Sequence, residues 1–147
     1  MGFGPVIDAL RQRDRAKELA TSNQLLLGEI ILLLERAPKD AAIIFDTGEF
    51  PGRFRSWRGR YNELALSFDG DGSATVGDLL AEATAAVGKI FQGYKGGDYT
   101  MGRGTPLWMA NYGETSHDYD SNCYRMLTGA RAEDDGVVIT TALTECY

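Results

Sequence analysis

Residues 25–34 read Leu-Leu-Leu-Gly-Glu-Ile-Ile-Leu-Leu-Leu, and only Gly28 and Glu29 interrupt the apolar run. A helix that is apolar nearly all round has no face to give to water, so it belongs in a core or in an interface between subunits. The run is far shorter than the ~20 apolar residues that span a bilayer. The spacing therefore predicts a buried helix over 24–36, ended by Pro38. In a chain of 147 residues, the usual size of one domain, so greasy a helix points to a homo-oligomer joined through residues 25–34, Leu25 to Leu34.

The rest of the chain supplies what that helix packs against. Pro5 suits the first turn of an earlier helix starting near Val6. Thr21 and Gln24 have capping-box spacing for the second helix. Residues 1–23 read as a helical extension of the single domain, 1–147. Residues 41–46 form a short apolar run, read as a buried strand. Residues 61–68 alternate, with Leu64, Leu66 and Phe68 on one face. Thr75 and Asp78 have capping-box spacing and open a helix to about residue 91, with Leu79, Leu80, Ala83, Val87 and Ile90 on its apolar face. A glycine-rich stretch fills 93–104, and 105–112 reads as a strand. Segments 124–130 and 137–143 read as a hairpin around the turn at 133–136. Helices come first, then a mostly antiparallel sheet with one further helix packed on it: an α+β fold. A faint internal echo links Leu27-Gly-Glu-Ile-Ile31 with Val76-Gly-Asp-Leu-Leu80.

Charge narrows the function. The formal net charge is −6, which opposes binding to duplex nucleic acid through its phosphates. Yet four of the fifteen basic residues, Arg53, Arg55, Arg58 and Arg60, fall within 53–60. Arginine's planar fork of donors matches phosphate or carboxylate geometry. Gly59 permits a left-handed turn or a close approach of backbone to ligand. Ser56 adds a neutral donor, and Trp57 and Tyr61 offer rings on which a base stacks. Alternation alone accounts for Arg53, Arg55 and Arg60 as the solvated face of a strand. The second stretch holds Tyr94, Lys95, Gly96, Gly97 and Tyr99, where a lysine point charge sits among glycines. It is neither a Walker A loop nor a dinucleotide fingerprint. Trp108 is placed to wall a pocket. The expected ligand is an anionic small molecule, and Arg58 and Lys95 are expected to converge on it.

Catalytic and metal signals are weak. The only histidine, His117, lies between Ser116 and Asp118, and a triad assembles by geometry rather than by adjacency. One histidine with Cys123 and Cys146 does not make a zinc set. Asp69 and Asp71 begin like a calcium loop, but position 12 of that loop is Leu80. No metal, cofactor or catalytic residue is expected. No basic segment followed by a long apolar one opens the chain, so no signal peptide is expected and the cysteines read as reduced thiols of a cytoplasmic protein.

Five motifs in order carry a resemblance. They are Phe-Asp-x-Gly at Phe45, Asp46 and Gly48; Ser-x-Arg-Gly-x-Tyr at Ser56, Arg58, Gly59 and Tyr61; Leu-Ala-Leu at 64–66; Thr-Val-Gly-Asp-Leu-Leu at 75–80; and Gly-Tyr-Lys-Gly-Gly-x-Tyr-x-Met at 93–101. Over residues 28–143 the chain resembles a family of small bacteriophage proteins without an assigned activity. It departs from that pattern in its N-terminal extension and in Trp57, where family members often have Tyr. The resemblance implies a phage product in a host bacterial cytoplasm. By analogy with phage proteins that counter host immunity, it suggests a sponge that sequesters a nucleotide signal: a cyclic oligonucleotide or an ADP-ribose-type molecule. The alternatives are an enzyme that cleaves such a nucleotide and a protein-interaction module that inhibits a host factor.

Overall fold

The computed structural model describes residues 24–111, 124–134 and 136–144. Helix α1 spans Leu27–Glu35, strand β1 Ala42–Phe45, β2 Phe54–Trp57 and β3 Arg60–Leu66. Helix α2 spans Val76–Ala86. A short hairpin follows, β4 Ile90–Gln92 and β5 Asp98–Thr100. The chain then adds β6 Leu107–Met109, β7 Arg125–Glu133 and β8 Gly136–Leu143. This is the expected α+β class. The large sheet has the order β1-β8-β7-β6-β3-β2 and is mixed: β1 lies parallel to β8 and β3 parallel to β6, and the other pairs are antiparallel. A parallel neighbour needs a crossover, and the path from β3 to β6 supplies one by passing through α2 and the β4–β5 hairpin.

Both described helices start by the same device. The Glu29 carboxylate accepts the Leu26 amide at 2.8 Å, and the Asp78 carboxylate accepts the Thr75 amide at 2.9 Å. The Thr75 hydroxyl completes a full capping box on α2 by accepting the Asp78 amide. In each first turn the glycine amide donates to a crossing strand of backbone, Gly28 to the Arg103 carbonyl and Gly77 to that of Lys39. The echo between the two segments is thus a shared way of starting a helix. Gln24, expected inside α1, lies before it and donates its side-chain amide to the Leu107 carbonyl. Thr21 and the helix expected from Val6 lie outside the described residues.

The apolar run at 25–34 is buried largely by its own chain. Leu25, Leu27, Ile30, Ile31, Leu33 and Leu34 are buried in one core with Phe45, Leu64, Leu66, Met109, Leu127 and Ile139 from the sheet and Leu79 and Ala83 from α2. That covering removes the reason for placing a subunit interface on α1. Helix α2 is shorter than expected. It ends at Ala86, and Gly88 (φ +78°) turns the chain out of it. Ile90, read as part of the helix face, stands on β4 and is 59% exposed.

Candidate functional site

Strand alternation puts different chemistry on the two faces of the sheet. Phe54, Leu64 and Leu66 face the main core. Trp57, Ala65 and Ala110 form a second buried cluster, against which Trp108 and Tyr124 pack. The β2–β3 hairpin joins the two through an irregular register. Ser56 pairs with Leu64, but Trp57 pairs with Arg60, so residues 61–63 bulge out of the ladder. Bulges of this kind re-aim side chains. Here the bulge frees the Tyr61 carbonyl, and the Ser56 hydroxyl donates to it at 2.6 Å. Ser56, expected to donate to a ligand, is engaged in holding this bulge.

Both tryptophans serve as scaffold. The rings of Trp57 and Trp108 stack at 3.9 Å with an interplanar angle of 14°, and Tyr124 meets Trp57 edge-on at 5.4 Å. Trp57 is buried and its indole N–H has no hydrogen-bond partner, a cost of about 1–3 kcal/mol that the packing must offset. The Trp108 indole N–H donates to Glu63 Oε1 at 2.7 Å. The other Glu63 oxygen accepts from Arg60 at 3.3 Å. Glu63 is a buried carboxylate with no role expected from the sequence. A lone acidic residue in an otherwise alternating strand was the only available signal. The expectation that Trp57 stacks on a ligand is corrected: its ring is spent inside the fold.

Gly59 has no positive φ. It is small for a different reason, since a Cβ there would lie 2.6 Å from Trp57 Cζ2. The indole thus lies directly under the Arg58–Gly59 turn. The Lys95 turn is built differently. The Gly96 amide donates to the Gly93 carbonyl and the Gly93 amide to that of Gly97, with φ +94° at Gly96 and +89° at Gly97. These are values that glycine adopts at little cost. The glycine-rich segment is therefore the closure of the β4–β5 hairpin.

The two turns meet. The Arg58 guanidinium carbon lies 4.0 Å from the centroid of the Tyr94 ring, within cation–π range. On the same two hairpins, Tyr61 of β3 and Tyr99 of β5 contact edge-to-face at 5.7 Å. Both rest on the Gly93 backbone, where a Cβ would come within 2.9 Å of Tyr99 and 3.1 Å of Tyr61. Lys95 follows Tyr94 and is exposed. Arg53 is exposed and Arg55 half-buried, the pattern of a solvated strand face.

Other features carry different chemistry. A groove of 420 Å³ is lined by Asp78, Leu79, Glu82, Lys89 and Phe91 among others. It includes neither Arg58 nor Lys95, and its two carboxylates oppose an anion. Asp71 accepts from the Ser73 amide and hydroxyl, bonds that hold its carboxyl below the usual value, and Asp69 accepts from Ser67. These acids close turns. Among the described residues no group of three or more His, Cys, Asp or Glu side chains is placed to hold a metal. The Asn111 side chain accepts the Phe68 amide. His117, Asp118, Asp120, Cys123 and Cys146 lie outside the described residues. No helix among the described residues is long and apolar enough to cross a membrane. Comparison with protein-family models, with curated proteins and with solved structures finds no match to this chain.

Proposed function

We propose that this protein binds a phosphorylated small molecule and holds it without transforming it, with Arg58 and Lys95 as the phosphate-gripping cations. One observation carries the reading: the Arg58 guanidinium against the Tyr94 ring, 4.0 Å from its centroid. That contact joins two basic-glycine turns which lie 36 residues apart in sequence (94 − 58). The guanidinium carbon lies over the ring, and the guanidinium carries the planar fork of donors that matches phosphate geometry. Lys95, exposed in the turn directly after Tyr94, adds a compact point charge of the kind used on phosphates. Local cations of this kind in a chain of net charge −6 favour a small anion over a long polyanion, which meets the whole repulsive field. Together with the resemblance to small phage proteins, this supports sequestration of a nucleotide signal in the host cytoplasm as the biological role.

Isothermal titration with cyclic oligonucleotides and ADP-ribose-type molecules tests the proposal. At least one binds the wild-type chain and is recovered intact after the complex is denatured. Arg58→Ala and Lys95→Ala each weaken that binding by about tenfold or more, as expected for loss of a charge-assisted hydrogen bond. Absence of binding across the panel by the folded protein overturns the reading, and recovery of a cleaved ligand replaces it with catalysis.

A further inference from the structure

The groove beside α2 is separate from the two basic turns. Its volume of 420 Å³ falls within the range of small-molecule sites, roughly 300–1,000 Å³. One wall is the side of α2 that carries Asp78, Glu82 and Ala85. Residues at this spacing line up along one face of a helix. Pro51, from the loop before β2, and Phe91, on β4, add apolar surface.

The charges in the groove are not spent on one another. Among the described residues neither Asp78 nor Glu82 forms an ion pair, and the Glu82 side chain forms no hydrogen bond. Like charges one turn apart are mildly unfavourable to a helix, and a cation seated beside them removes that cost. Lys89 lies beyond the end of α2. Its ammonium stands over the Phe91 ring, 5.0 Å from the centroid, and makes no ion pair among the described residues. Negative charge thus lies along α2 and positive charge past its end. A bare anion meets the carboxylates, and a bare cation meets Lys89. A ligand of both signs complements all three. Because the two signs stand on different stretches of chain, they suit a ligand whose own charges are apart. The two ends of a short peptide are so placed, whereas a free amino acid carries both charges on one carbon.

We infer that this groove binds a short apolar peptide with free termini, its ammonium toward Asp78 and Glu82 and its carboxylate toward Lys89. The apolar side chains rest on Pro51, Ala85 and Phe91. Neither Arg58 nor Lys95 lines the groove, so this inference and the phosphate-binding reading stand or fall separately.

The experiment follows the amide NMR signals of the full chain during titration with the tripeptide Ala-Leu-Ala. Parallel titrations use the same tripeptide acetylated at its N-terminus, the form amidated at its C-terminus, and free leucine. The free tripeptide moves the signals of Ala81, Glu82, Ala85 and Phe91, with a dissociation constant of about 1 mM or below. Each blocked form, and leucine, binds about threefold or more weakly, the scale of one exposed ion pair. Glu82→Gln weakens the free tripeptide and leaves the acetylated one unchanged. Lys89→Met weakens the free tripeptide and leaves the amidated one unchanged. Both changes are at exposed side chains, and the blocked peptides test the wild-type chain whether or not the variants fold. Equal binding of the amidated and free forms overturns the inference, because the carboxylate then has no partner. Equal binding of the acetylated form, or of leucine, overturns it as well. So does the absence of any movement at these amides up to about 10 mM tripeptide.

Discussion

The two turns at the candidate site look alike in sequence, each a basic residue followed by glycine, yet each needs its glycine for a different reason. At Gly59 the backbone is ordinary and the space is missing: the Trp57 indole fills the volume a Cβ would take. At Gly96 the space is open and the backbone is extraordinary, with φ +94° and nothing within 4 Å of a Cβ. The first turn is fixed from below by a stacked aromatic pair. The second is fixed only by its own hydrogen bonds and dihedral angles. One motif thus covers a turn set by packing and a turn set by backbone conformation, and substitutions at the two should behave differently.

The largest expected effect comes from removing the packed support. Trp57→Ala leaves a cavity under the turn and strands the Trp108 ring, at a cost of about 3–5 kcal/mol in urea unfolding. The sharper test is made in that background. Gly59→Ala alone costs about 1–3 kcal/mol through overpacking, and the cost vanishes once Trp57 is alanine, so the two changes are strongly non-additive. Additive costs would mean that the indole is not what keeps Cβ out, and the contrast between the turns would break.

The smallest effect belongs to the conformational turn. Gly96→Ala costs about 1–2 kcal/mol, the strain of a left-handed conformation in an L-residue, and Gly96→Asn costs less because Asn visits that region more readily. Neither value should change in the Trp57→Ala background, since a Cβ on Gly96 would meet nothing within 4 Å. Equal costs for alanine and asparagine would show that space rather than φ governs this position.

Local residues made much of the fold legible. The apolar run at 25–34, the alternation at Leu64 and Leu66 and the Thr75–Asp78 capping box each express a short-range rule, and each reappears in α1, β3 and α2. The end of α2 is not legible locally because Ile90 continues the helical spacing by coincidence, while Gly88 with its positive φ turns the chain before it. The parallel pairing of β1 with β8 and of β3 with β6 joins residues tens of positions apart, and no local pattern encodes it.

For the site, the sequence by itself determined the inventory: a cluster of arginines, a lysine among glycines, and rings close to both. Only the tertiary structure decided how those parts are spent. It put Arg58 on Tyr94, gave Ser56 to the Tyr61 carbonyl, and turned Trp57 and Trp108 toward each other instead of outward. The physical reason is that a side chain's chemistry is fixed by its covalent structure, but its availability depends on which distant neighbour reaches it first. That contest is settled by the packing of β2, β3, β6 and the β4–β5 hairpin against one another.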